Sequence, residues 1–148
     1  MTSWNAANPD FDRVVRDAVL GMPAAQHLGF TIGSLAPGEA EIVQPYRPEI
    51  TQQGGFVQGG VLGSLADFAG GSAAGTLLPP GWVNMTVDYT IKIVAPARGE
   101  SMVARGRMVH AGSTTSVAVA DVVAVRGGEE TLVATALVTM RNLKVPAA

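Results

Sequence analysis

The chain has 148 residues, 47% of them apolar and 15% charged, with a formal net charge of −2. That is one domain with apolar material to spare, which we read as an oligomer interface, and the near-neutral balance gives no electrostatic reason to expect nucleic acid or a membrane surface as partner. The absence of cysteine excludes disulfides, thiolate nucleophiles and cysteine-ligated metals, and two distant histidines, His27 and His110, make no metal pattern, so no metal or cofactor is expected.

The first residues contain no basic segment followed by an apolar one, so no secretory signal is read and a cytoplasmic protein is expected. Asp10 is placed to cap a first helix in which Phe11, Val14, Val15, Ala18 and Val19 recur at helical spacing, and Gly21 and Pro23 end it. "PAAQHLGF" leads into a strand near residues 30–36, "APG" is a turn, and "EAEIVQPY" is the returning strand of a hairpin. Residues 47–58 read as a polar, glycine-containing loop. The stretch that follows is free of proline, ends at "PPG", and reads as a helix despite its glycines. Each interior glycine costs about 0.5–1 kcal/mol relative to alanine, so such a helix needs tertiary cover.

From residue 82 onward the chain reads as strand. "NMTVDYTIKIV" places Met85, Val87, Tyr89, Ile91 and Ile93 on one side and Thr86, Asp88, Thr90 and Lys92 on the other. "APARGE", "AGST" and "RGGEE" read as turns of an antiparallel meander. "SVAVADVVAV", apolar on both sides, is its central strand with both faces covered, and it is too short to span a bilayer. The predicted class is α+β: one antiparallel sheet wrapped around one central helix. A single domain is expected over 1–148, with an N-terminal helical segment (1–27) and a core (28–142).

Familiar chemical motifs fail. There is no dinucleotide fingerprint and no phosphate-binding loop, and "GGSAA" around Ser72 lacks the last glycine of a nucleophile elbow and falls within a helix. Asp67 is the one charge in "VQGGVLGSLADFAGGSAAG". On a helix starting near Gly59, the residues Gly60, Ser64, Asp67 and Gly71 share a face, while Val61, Leu62, Leu65, Phe68 and Ala69 fill the others. A buried, unpaired carboxylate is costly, so Asp67 is either functional or a structural group bonded to backbone or to a threonine. Gly59 and Gly60 offer the unpaired N–H groups and positive dipole end of a helix start, the makings of an oxyanion hole or simply of a turn. Gly59 and Asp67 are about 12 Å apart along a helix axis, too far to meet one reacting atom within a chain. Two antiparallel helices related by a two-fold axis can bring them together.

"QQGGFVQGGVLGSLADFAGG", followed by "VDYTIKIVAPARGE", resembles the hotdog-fold acyl-CoA thioesterases of the phenylacetate-degradation (PaaI-like) group, over about residues 28–141. The family pattern is Asn or Gln, six residues on a His-Gly-Gly, and an acidic residue nine after the His; Gln52, Gln58-Gly59-Gly60 and Asp67 stand at those positions. The resemblance implies a hotdog fold, dimerised into one larger sheet, and hydrolysis of an acyl-CoA substrate without a cofactor. A homodimer is the minimal unit and a homotetramer the expected assembly. By resemblance, Asp67 is the acidic catalyst, as general base on water or as nucleophile, and the Gly59 N–H of the partner subunit polarises the carbonyl. Gln52 assists there, and Thr86 helps hold the water, although alternation sets Thr86 on the polar side of its strand and lets it reach the site only from a rim.

Gly60, Ser64, Phe68 and Gly71 are the expected substrate-binding residues, a strip that admits an aryl or a medium acyl chain alike. Gln58 stands where the family has His and does not titrate near neutral pH. That departure keeps a non-catalytic acyl-CoA-binding module as the alternative. An enoyl-CoA hydratase is a third reading, and it needs a His paired with Asp67. Arg107, Ser113, Thr114, Arg141 and Lys144 are candidate contacts for CoA phosphates.

Overall fold

In the computed structural model, which describes residues 3–147, helix α1 (Phe11–Leu20) buries Val15 and Val19. Asp10 precedes it but makes no side-chain cap. Its carboxylate pairs with Arg13 at 3.5 Å, and its own N–H donates to Asn8 Oδ1 at 3.0 Å. Pro23 does more than stop α1: it opens a second helix, α2 (Pro23–Leu28), where a fixed φ and a missing N–H cost nothing. The expected lead-in to the first strand is therefore helical.

The hairpin is β1 (Thr31–Ala36) and β2 (Glu39–Pro45). The loop after it holds short 3-10 helices at Pro48–Ile50 and Gln53–Gly55 and a bridge between Thr51 and Val57. Helix α3 spans Gly59–Gly75, followed by β3 (Trp82–Ile93), β4 (Ser101–Ala111), β5 (Thr115–Arg126) and β6 (Glu129–Lys144). The sheet has six strands in the order β1-β2-β4-β5-β6-β3, antiparallel throughout. The meander thus covers β4 to β6 only. One edge of β4 is taken by β5 through a tight turn and the other by β2, so β3 pairs with the free edge of β6. Residues 95–100, expected as a turn, belong to a connection that crosses the sheet instead.

The sheet face under α3 is rich in small side chains. Ala40, Gly106, Ala120 and Ala136 lie in register on adjacent strands, as do Ile42, Ala104, Val122 and Ala134. The helix meets them with buried Leu62, Leu65, Ala66, Ala69 and Ala73. The two backbones come so close that a Cβ at Gly106 would overlap the carbonyl of Ala69. This contact is the cover that a glycine-rich helix requires. β5 buries Ala118, Ala120, Val122 and Ala124 toward α3 and leaves the alternate residues half-exposed, so one chain covers one face of this central strand rather than both. The architecture is α+β, a sheet curled around a central helix: the hotdog fold. Among the described residues, no helix is long and apolar enough to cross a membrane.

Candidate active site

The alternation of β3 breaks in its middle. Pairing with β6 runs Met85↔Arg141, Thr86↔Met140 and then Asp88↔Thr139, so Val87 is an extra residue, a β-bulge. Before the bulge the even positions face α3; after it the odd ones do. Asn84 Nδ2 donates to the Gly71 carbonyl at 2.9 Å, and the Thr86 hydroxyl donates to Asp67 Oδ1 at 2.6 Å. Beyond the bulge, Tyr89 lies over Gly63 and Ile93 over Gly59.

The helix residues along β3 are therefore Gly59, Gly63, Asp67 and Gly71, one every fourth position. Two residues of the expected strip, Gly60 and Ser64, lie beside this row rather than in it. Gly60 is exposed beside the Gln58 side chain, and Ser64 donates its hydroxyl to the Gly60 carbonyl at 3.1 Å. Thr86 is corrected too: the bulge turns it inward, so it meets Asp67 directly rather than from a rim.

Asp67 is half-buried. Burial pushes its carboxyl above the usual carboxylate range, and the hydrogen bond from Thr86 pulls the other way. A carboxylate partly stripped of water is a stronger base than one in solution, and the Thr86 hydroxyl offsets part of that gain while holding the group in place. It forms part of the wall of an apolar cleft of about 410 Å³ between α1, α3 and β3. Val15, Val19, Phe68, Gly71, Trp82 and Met85 line that cleft, and Phe68 is fixed edge-on against Phe30 with ring centroids 4.7 Å apart. The share of α1 in this wall is not visible in the sequence. Helical spacing of valines marks an apolar face, but not what the face covers.

A second concavity, of about 380 Å³, lies on the outer face of the sheet, with Glu39, Glu41, Arg105, Arg107 and Asp121 in its wall. Its charges largely satisfy one another. Arg105 binds Glu130 through both terminal nitrogens at 2.6 and 2.7 Å and Glu41 through Nε at 2.8 Å, and Asp121 accepts from Thr135 at 2.6 Å. Arg107, a candidate phosphate contact, belongs to this outer face and not to the cleft beside Asp67.

The remaining expected site residues gather at the start of α3. Gln58 is its N-cap, and its Oε1 accepts from the Val61 N–H at 3.2 Å. Gln52 is exposed in the preceding loop, its N–H bonded to the Phe56 carbonyl at 2.8 Å. Within one chain, Asp67, Thr86, Phe68 and Gly71 come together around the cleft. Gln52, Gln58, Gly59 and Gly60 stand about two helical turns away. β3 is an edge strand that leaves apolar side chains largely exposed within the chain: Met85 is 59% exposed and Val87 61%.

Comparison with known proteins adds the following. The family model described as the thioesterase superfamily matches residues 54–131, just over half of the chain. A thioesterase family protein from Silicibacter pomeroyi, seen in a crystal structure, is 35% identical, with a TM-score of 0.88 over 90% of this chain and 98% of its own. A Ralstonia eutropha protein, provisionally named a thioesterase related to phenylacetic acid degradation, is 26% identical, with a TM-score of 0.74 over 88% of this chain and 98% of its own. A Halobacterium salinarum protein, provisionally named an esterase, is 37% identical over 101 residues, 65% of this chain and 66% of its own length. The match thus spans just under two thirds of that curated relative.

Proposed function

The chain belongs to the thioesterase superfamily, and from that premise we propose that it hydrolyses acyl-CoA thioesters as a homodimer. The acyl group occupies the cleft between α1, α3 and β3. Thr86 engages Oδ1 of Asp67 and leaves Oδ2 for a water molecule. Asp67 takes a proton from that water as it adds to the thioester carbon, and the proton then goes to the departing thiolate. The Gly59 N–H of the partner subunit receives the negative charge on the carbonyl oxygen, with Gln52 assisting. The water route is preferred to direct attack by the carboxylate because the short aspartate side chain leaves room for water. Two features support a shared site: the roughly 12 Å along α3 between Gly59 and Asp67, and the uncovered apolar edge of β3.

The observation that carries this reading is a partly desolvated carboxylate, Asp67, in the wall of an apolar cleft. Thiol release over a panel of acyl-CoAs tests it. The wild type releases CoA, and Asp67→Ala loses at least about 100-fold; undiminished release by Asp67→Ala refutes the assignment. Single turnover in H₂¹⁸O separates the routes, since the water route leaves no label in the Asp67 carboxylate.

Gln58 favours a second reading, a module that binds acyl-CoA without cleaving it. Its side-chain oxygen is engaged in capping α3, and it supplies no titrating group. Saturable acyl-CoA binding without thiol release would establish that alternative. The hydratase reading has no observation in its favour: His27 lies in α2, His110 in β4, and the hydroxyl bonded to Asp67 is that of Thr86.

A further inference from the structure

We propose that Ser72 selects acyl groups that carry a hydrogen-bonding oxygen near their far end. The proposal rests on the thioesterase reading for the kind of ligand. Its structural basis is a hydroxyl that the fold leaves unused. Ser72 belongs to the wall of the cleft, is 2% exposed, and its Oγ is buried without a hydrogen-bond partner. The other hydroxyls of this region are engaged. Ser64 donates to the Gly60 carbonyl at 3.1 Å; Thr76 donates to the Ala73 carbonyl at 2.6 Å and accepts from the Gly38 N–H at 2.8 Å.

Buried polar groups are paired as a rule, and an unpaired one is costly. Alanine would fill the same space, as it does at Ala73 and Ala74 next in the chain. The same cleft is walled by apolar groups such as Val15, Phe68, Leu78 and Trp82, and its Asn84 amide nitrogen is committed to the Gly71 carbonyl. In this proposal the hydroxyl turns about χ1 between staggered wells to meet the ligand. Ser72 stands about 7.5 Å beyond Asp67 along α3. The matching ligand is a mostly apolar acyl group with a hydroxyl or oxo oxygen at about that distance past its carbonyl.

The probes are hexanoyl-CoA and 6-hydroxyhexanoyl-CoA, with butanoyl and octanoyl pairs bracketing the length. The quantity read is the ratio of kcat/KM, hydroxylated over plain. At the matching length this ratio is expected to be about tenfold higher in the wild type than in Ser72→Ala. Without ligand, Ser72→Ala is expected to melt at the same temperature or higher, because no bond is lost. Equal ratios in both proteins at every length, or a fall of several degrees in Tm, overturn the proposal. If neither protein releases thiol, the hydrolysis reading fails by itself. Calorimetric binding of the same pairs then decides the role of Ser72: a hydroxyl preference lost in Ser72→Ala supports it, and equal affinities overturn it.

Discussion

Asp67 binds its proton more tightly in the folded chain than in the unfolded one, because burial outweighs the Thr86 hydrogen bond. Its ionised form therefore costs stability. The cost is absent below the ordinary pKa of 3.8 and sets in as pH rises through the raised folded value. Asp67→Asn keeps an acceptor for Thr86 and removes the charge. It is expected to melt above the wild type at pH 7, with the difference closing as pH falls toward 4, while thiol release is lost. A lower Tm for Asp67→Asn at pH 7 would mark the carboxylate as structural. Thr86→Val removes the hydroxyl that holds the carboxyl down, so the acid limb of the kcat/KM profile should move to higher pH; an unmoved limb would contradict the pairing. Asp67 was legible as the lone charge of an apolar helix. The inward turn of Thr86 was not, because residue types keep alternating through Met85, Val87 and Tyr89 while the bulge reverses their sides.

The glycines around α3 serve unlike purposes, and substitution separates them. At Gly106 a Cβ meets the Ala69 carbonyl, a backbone atom that has no rotamer to yield with. Gly106→Ala is expected to destabilise by about 2–3 kcal/mol, read from denaturant unfolding. At Gly71 the nearest atom to a new Cβ is Asn84 Oδ1 at 3.8 Å, so Gly71→Ala is expected to stabilise by about 0.5–1 kcal/mol through helix propensity. Because Gly71 lines the cleft, the same change should raise KM for bulky acyl groups. Local signals located the hairpin, α3 and the three strands of the meander well, since each rests on periodicity and turn residues within a short window. α2 is not legible from Pro23 as a stop signal, because proline ends one helix and starts another with the same residue. The place of β3 is hidden in the sequence for another reason. Whether residues 94–100 turn back or cross the sheet depends on which strand edges are free, and that is settled by β2, far away in sequence.

At the scale of the whole molecule, the apolar surplus of the composition has a visible location. β3 ends the sheet with Val83, Met85, Val87 and Ile93 exposed, on the strand that also presents Thr86 to Asp67. An isologous contact along this edge would extend the sheet across a two-fold axis. It would also set the start of each α3 beside the middle of the other. Spacing within α3 is enough to point to such sharing, because Gly59 and Asp67 are fixed about 12 Å apart by helical rise. The most direct test uses hybrids. Proline fits the first position of α3 yet has no N–H, so Gly59→Pro deletes the amide donor at a place helices tolerate. Asp67→Asn and Gly59→Pro should each be inactive alone. Unfolded together and refolded, they should recover about a quarter of wild-type activity, since half of the dimers are mixed and each mixed dimer holds one intact site. A refolded mixture as inactive as its two components would contradict a site shared between subunits.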